Sequence, residues 1–187
     1  MTTFNELMAA TRITVRSPDT GLVASVTSGS RMDITFAPKA FGTYDETRLS
    51  EQLAQLLARV VEGREQARRT ALARAIDEQV NPRPEWELDA AERRFRAACA
   101  QIVAAGQSTH KQVRVRRIGH NDWTVRIKPG CLASLTEERF LAELASAVRT
   151  TMAEHHRQVA VARHDIFGAT RSTTARVLAG THIPTHS

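Results

Sequence analysis

Two segments of the chain align without a gap when the sequence is shifted by 91 positions. The first covers residues 22–61 and the second covers residues 113–152, so that Pro38 falls on Pro129. Hydrophobic residues alternate with period two at the start of each segment, which is typical of a β-hairpin. Apolar residues at helical spacing close each segment. The sequence therefore predicts one supersecondary unit that is present twice.

Short local signals predict the limits of each hairpin and helix. The hairpins are expected to turn at residues 28–30 and 119–122, and each ends at its proline, which cannot donate to a strand ladder. Capping boxes at Thr43–Glu46 and Ser134–Glu137 predict both long helices to start at matching positions. The match of these signals supports the repeat.

The segments that flank the repeats add further elements. Residues 12–16 predict a leading strand for the first unit, and its long helix is expected to run from 45 to about 78. A separate helix is predicted over 85–105, with Gly106 as the residue that ends it, and the second long helix should end near 163. On this interpretation the second unit has no leading strand.

The chain of 187 residues is long enough to bury a sizeable core. We expect an α+β fold in which two units, each a β-hairpin or three-stranded sheet plus a long helix, form an intrachain pseudo-dimer. The predicted division is a first repeat at 1–78, a proline-containing linker at 79–84, a second repeat at 85–167 and a disordered tail at 168–187.

The first unit carries a set of residues that resembles a known family. It has a strand with glycines before and after it, a second strand that ends at a proline, and an amphipathic helix: Gly21-Leu22-Val23, Val26, Gly29, Ile34-Thr35-Phe36, Pro38 and the helix from Leu49 to Val60. This pattern resembles the YbaB/EbfC nucleoid-associated family. The resemblance implies a small α+β protein that dimerises tightly and binds DNA with little sequence preference.

A second role stays open beside DNA binding. Actinobacterial secretion-associated proteins resemble the same fold and act through protein contacts. The chain is therefore expected to be either a DNA-binding protein or a protein-interaction module, such as a chaperone or adaptor of a bacterial secretion system. The expected partner is duplex DNA, contacted at its phosphates, or an acidic protein, and not a membrane; a homodimer of the pseudo-dimer is also left open.

Basic charge is concentrated on one face of the second hairpin. The chain has a formal net charge of +6 and a pI near 10.3, which suits an anionic partner. The main predicted contacts are four cations that fall on neutral residues of the first hairpin: Arg114, Arg116, Arg126 and Lys128. The secondary contacts are predicted outside this hairpin: Arg12, Arg16, Arg64, Arg68 and Arg69. Because Glu62 and Glu65 lie near the last three, a solvated and internally paired helix surface is the alternative for them.

The sequence contains no motif that indicates catalysis. There is no glycine-rich phosphate loop, no H-E-x-x-H and no G-x-S-x-G motif, and Cys99 and Cys131 do not form a disulfide framework or a zinc site. We expect a protein that is not an enzyme and needs no cofactor or metal. His155 and His156 are expected on the surface, and Trp123, which aligns with Met32, in the core. With no apolar run of about 20 residues and no signal-peptide pattern, a cytoplasmic, nucleoid-associated protein is expected.

Overall fold

The secondary structure forms two similar sets of elements in the computed structural model, which describes residues 4–27, 32–76 and 88–168. The first set comprises α1 (Phe4–Ala10), β1 (Ile13–Arg16), β2 (Leu22–Val26), β3 (Met32–Phe36) and α2 (Glu46–Ile76). The second set comprises α3 (Ala90–Ala100), β4 (Val103–Gln107), β5 (Val113–Ile118), β6 (Asp122–Ile127), the short helix α4 (Cys131–Ser134) and α5 (Glu137–Arg163). A 3-10 turn at Phe41–Thr43 and a π-helical turn at His164–Gly168 complete the described chain. The predicted α+β class is confirmed.

Each set contains a three-stranded antiparallel sheet, and the two sheets have the same register. The strand orders are β1-β2-β3 and β4-β5-β6. Leu22 pairs with Phe36 in the first sheet, and Val113 pairs with Ile127 in the second. The first two strands of each sheet match in the same way: each residue pair between β1 and β2, shifted by 91 positions, is a residue pair between β4 and β5. The structural correspondence therefore covers the whole sheet and not the hairpin alone.

The turn between the first two strands is also built twice. The hydroxyl oxygens of Ser17 and Ser108 each accept a hydrogen bond from the N–H five residues later, at 3.0 Å in both units. Thr20 and Lys111 adopt left-handed backbone conformations, with φ of 60° and 59°. In each unit a backbone N–H of this turn then donates to a side chain of the long helix at 3.2 Å. Each sheet is thus fixed to its own helix.

Strand β4 corrects the sequence prediction for the second unit. The helix expected over 85–105 ends at Ala100, and the leading strand that was thought to be missing is β4. Gly106 does not end a helix but lies inside β4, paired with Val115. The helix prediction failed because an alanine-rich stretch favours a helix locally, whereas pairing with β5 satisfies the backbone of 103–107 as a strand.

Glycine allows close strand-to-helix contact in both units, but on opposite elements. A Cβ on Gly106 of β4 would lie 2.5 Å from the backbone nitrogen of Thr151 in α5. In the first unit the glycine is Gly63 of α2, where a Cβ would lie 2.9 Å from Cγ2 of Ile13 and 3.7 Å from Cγ1 of Val15. Val15 is the counterpart of Gly106 under the shift of 91.

The N-caps of both long helices lie two residues after the predicted capping hydroxyls. Asp45 caps α2 by accepting from the N–H three residues later at 2.8 Å, and Thr136 caps α5 in the same way at 3.4 Å. The predicted caps at Thr43 and Ser134 were wrong, because these hydroxyls donate to carbonyls three residues earlier, at 2.8 and 3.0 Å. The true caps are again 91 positions apart.

One hydrophobic core serves both units. Helix α2 packs on β1 and β2 of its own sheet and on β6 of the other, while α5 packs on β4 and β5 and touches β3. Phe140 of α5, fully buried, lies 6.2 Å from Phe36 and 5.7 Å from Phe41 between ring centroids. Since these aromatic contacts join the two units, neither unit buries its apolar face alone.

Some sequence predictions fall outside the described residues. These are the turn at 28–30, the linker at 79–84 and residues 169–187 of the predicted tail. Within the described part, the leading strand of the first unit is confirmed as β1, and the second long helix ends at Arg163 as predicted.

Candidate nucleic-acid interface

The four cations of the second hairpin lie on one exposed face, as the alternation predicted. Arg114 and Arg116 belong to β5, Arg126 belongs to β6, and Lys128 follows directly after β6. All four side chains are exposed. Arg114 and Arg126 are direct cross-strand partners, which places their Cα atoms about 5 Å apart. Arg116 lies about 7 Å further along its strand. This group is called the basic face below.

The core holds the basic face in this orientation. Residues that alternate with its members are buried against the helices: Val113, Val115, Val125 and Ile127. A one-residue slip of either strand would exchange these valines and isoleucine for charged side chains, so the register is strongly specified. The sheet thereby presents the cations on a rigid surface.

No acidic side chain of the described chain forms a salt bridge with any member of the basic face. Like charges at Arg114 and Arg126 destabilise the sheet by roughly a few tenths of a kcal/mol. Asp122 is a carboxylate on this face; it was predicted in the turn but is the first residue of β6, opposite Ile118. A groove of about 640 Å³ beside β6 also brings Glu46 and Glu51 near Arg126. Carboxylates therefore lie near both ends of the basic face, but none of them forms a salt bridge with its four cations.

Lys111 adds a fifth cation that the sequence prediction missed. It is exposed and lies in the β4–β5 turn. Its neighbour Gln112 accepts a backbone hydrogen bond from Lys128 at 2.9 Å, so both lysines lie at the same end of the sheet. Under the shift of 91, Lys111 corresponds to Thr20, so a neutral residue of the first unit again matches a cation of the second. This signal is present in the sequence.

The corresponding face of the first sheet is uncharged at the matching positions. Val23 and Ser25 of β2 stand in for the two arginines of β5. The hydroxyls of Thr14 and Ser25 lie 3.5 Å apart on this face. The basic face is thus a property of one unit only.

Two of the predicted secondary contacts meet in a groove of mixed charge. Arg16 and Arg69 line a cleft of about 760 Å³ between β1, α2 and the turn before β6, together with Arg59, which the sequence prediction missed. Arg59 donates to the backbone carbonyl of Arg16 at 2.8 Å. Glu62 lines the same cleft, and Glu65 accepts from Arg69 at 3.3 Å. The positive charges in this cleft are therefore largely balanced by these two carboxylates.

The other secondary contacts lie elsewhere. Arg12 lines a separate groove with Arg74, next to α1. Arg68 is exposed on α2, whereas Arg64 is partly buried and lines an apolar cavity between the two units. The four cations of the basic face therefore lie together, whereas the predicted secondary contacts lie on other surfaces of the protein.

Arg117 is a buried charge next to the basic face. Its guanidinium donates to the carbonyl oxygen of His120 from Nε at 3.2 Å and from Nη2 at 2.6 Å, and its Cζ lies 5.3 Å from the ring centroid of Trp123. The side chain is only 5 % exposed, and burial lowers its pKa. Burial, followed by the charge of Arg117, lowers the pKa of His155. His155 is thus half-buried in a positive environment, not on the surface as predicted.

The thiols are not activated. Burial raises the pKa of Cys99, and burial together with the carboxylates of Glu46 and Glu143 raises that of Cys131. Within residues 4–27, 32–76 and 88–168, no three His, Cys, Asp or Glu side chains are arranged to hold a metal ion. No helix in these ranges combines the length and apolar character needed to cross a membrane.

Comparisons of the chain with protein-family models, with curated proteins and with solved structures gave no match.

Proposed function

We propose that this protein is a non-enzymatic DNA-binding protein that attaches to duplex phosphates through the basic face, with little sequence preference. The observation that carries the proposal is the one-sided charge: Arg114, Arg116, Arg126 and Lys128 lie together on a rigid sheet with no salt-bridge partner among the described residues. A phosphate backbone would neutralise the like-charge repulsion that this arrangement creates.

The resemblance to the YbaB/EbfC family supports the same role. We infer that an internal duplication produced the two units, because strand register, turn hydrogen bonds and helix caps all repeat at 91 positions. In this view one polypeptide supplies the pseudo-dimer and acts in the cytoplasm at the nucleoid. The two units have diverged, since only the second carries the basic face.

Recognition through this face would be electrostatic. Cations on the flat face of a sheet contact phosphates, which position a protein on DNA but carry no direct sequence information. If the basic face and Lys111 contact about four or five phosphates, log Kobs should fall with log[salt] at a slope of about −3.6 to −4.5. The slope therefore measures the number of cations engaged.

The test is fluorescence anisotropy of labelled duplex DNA titrated with protein at several salt concentrations. The variant Arg114→Gln, Arg116→Gln, Arg126→Gln, Lys128→Gln should lose binding at low salt and flatten the slope. A matched control removes four exposed arginines from helices α3 and α5: Arg94→Gln, Arg96→Gln, Arg139→Gln and Arg163→Gln.

The control has the same net charge as the test variant, so it separates a local surface from overall charge. It should keep most of the affinity and most of the salt slope. Equal losses in both variants would assign binding to net charge, and no binding at micromolar wild-type protein in low salt would overturn the proposal. Duplexes of unrelated sequence should bind within a few-fold of each other.

An acidic protein is the second candidate partner, and one observation favours it. Val103 of β4 is 43 % exposed and Ala105 is exposed beside it, both on the sheet face that carries the arginines of β5. An apolar strand next to cations suits a protein surface. This role predicts one stoichiometric protein in a nuclease-treated pull-down, which the four-residue variant no longer recovers.

A further inference from the structure

A cavity of about 390 Å³ lies between the two units. Three pairs of its lining residues are related by the shift of 91, one member from each unit: Met32 and Trp123, Leu57 and Val148, Val61 and Met152. The cavity therefore lies where the equivalent surfaces of the two units face each other. Its volume is at the small end of the range for ligand pockets, and its floor is apolar.

The polar residues of the cavity are basic. The described residues that line it include Arg64, Arg149 and His156 but no carboxylate. Arg149 and His156 lie on either side of Met152 along the lining face of α5. The two units differ at these positions, because Ala58 and Glu65 of the first unit correspond to Arg149 and His156. The second unit thus adds positive charge to a cavity that both units build.

One wall of the cavity contains a polar group without a partner. Trp123 lines the cavity and is 8 % exposed, and its indole Nε1–H is buried with no acceptor among the described residues. An unsatisfied buried donor is unusual in a folded protein and calls for an acceptor. Trp123 therefore brings an unsatisfied polar group into the wall of the cavity.

Arg117 is a buried positive charge in contact with the wall of the cavity. Its guanidinium lies over Trp123, and its Nη1 lies 3.5 Å from Sδ of Met152, so it touches two residues of the cavity wall. Among the described residues it has no carboxylate partner, and a buried charge without a counter-charge is costly. The cationic rim and this guanidinium both favour negative charge at the cavity.

We propose that the cavity binds a small amphipathic carboxylate, with its apolar body between the two long helices and its carboxylate near Arg149 and His156. The apolar walls supply affinity through burial, and the basic side chains of the lining select for the acid. The ligand would contact both units at once, so it would bind only the assembled pair. This site is separate from the basic face.

Isothermal titration calorimetry with two acids tests the proposal. Decanoate, below its micelle concentration, represents a flexible acyl acid, and 4-phenylbutyrate represents an aromatic one. Each is compared with its uncharged alcohol, 1-decanol or 4-phenyl-1-butanol. Saturable 1:1 binding of either acid, at least tenfold tighter than its alcohol, supports the site and identifies the class of apolar body. No saturable binding of either acid, or equal binding of acid and alcohol, would overturn it.

Matched variants locate the binding. Arg149→Gln should weaken the acid about tenfold without affecting the alcohol, whereas Arg139→Gln, an exposed arginine ten residues earlier on α5, should change neither. Ala145→Trp, at the mouth of the cavity, should abolish binding, and Ala142→Trp on the same helix should not. Unchanged affinity in both Arg149→Gln and Ala145→Trp would place the ligand elsewhere and refute the proposal. Far-ultraviolet circular dichroism confirms that each variant is folded.

Discussion

Replacing Gly106 with alanine should force β4 away from α5. The new Cβ would lie 2.5 Å from both the backbone nitrogen and Oγ1 of Thr151, and 2.6 Å from the carbonyl oxygen of Ala147. Two of these three atoms are helix backbone, so no side-chain rotation relieves the overlap. Since Cβ contacts below 3.0 Å are essentially never found, α5 and β4 must separate by at least about half an ångström.

The expected cost follows from the groups that this movement disturbs. Overpacking a tight site costs about 1–3 kcal/mol. The hydroxyl of Thr151 is fully buried, donating to Ala147 at 2.9 Å and lying 3.2 Å from the carbonyl of Val115, and a strained buried hydrogen bond adds about 1 kcal/mol. Gly106→Ala should therefore lower the free energy of unfolding by about 2–4 kcal/mol. With a urea slope of about 2 kcal/mol/M, the midpoint falls by about 1–2 M.

Urea unfolding followed by circular dichroism measures this change, with Gly42→Ala as the control. No heavy atom lies within 4 Å of a Cβ placed on Gly42, so this variant should stay within about 0.5 kcal/mol of the wild type. Adding Thr151→Ala to Gly106→Ala removes one overlapping atom but not the two backbone atoms, so stability should not return to that of Thr151→Ala alone. A Gly106→Ala protein as stable as the Gly42→Ala protein would refute the reasoning.

Two further predictions concern buried charges. Burial alone would raise the pKa of Asp19, but hydrogen bonds from the hydroxyls of Ser17 and Tyr44 hold this pKa below its usual value. The ionised carboxylate therefore stabilises the fold above about pH 4, and this stabilisation is lost as the pH falls through the lowered pKa. Asp19→Asn should be less stable than the wild type at pH 7 in urea unfolding, and the difference should shrink as the pH falls below about 4; a constant difference would contradict this. Arg117→Met should leave the ligand-free protein as stable or about 1–3 kcal/mol more stable in the same assay, because it removes a buried charge whose main acceptor is the carbonyl of His120. A loss above about 2 kcal/mol would show that this hydrogen bond outweighs the cost of burial.

Sequence patterning predicted the parts of the fold that depend on local alternation. The inward and outward residues of β5 and β6 followed from period-two spacing, so the basic face was placed correctly before its neighbours were known. Trp123 was predicted in the core from its alignment with Met32, and it is buried. These residues obey a pattern that extends over only a few positions of the chain.

Features that depend on distant contacts were missed. Strand β4 is rich in small residues that favour no strand locally, and it forms because β5 pairs with it and α5 packs against it. Arg117 occupies an inward position of the hairpin, and only the structure shows that His120 and Trp123 surround its charge. The lowered pKa of His155 likewise results from its burial and from the charge of Arg117.

The glycines on opposite elements bear on how a chain with two similar units avoids assembling incorrectly. Chains with internal repeats can misfold by exchanging equivalent elements during folding. If β1 docked on α5, the side chain of Val15 would overlap Thr151, because not even a Cβ fits at the position of Gly106. If β4 docked on α2, Gly106 would face Gly63 across a void. One exchanged pairing is overpacked and the other is underpacked, so each strand fits its own helix better than the helix of the other unit.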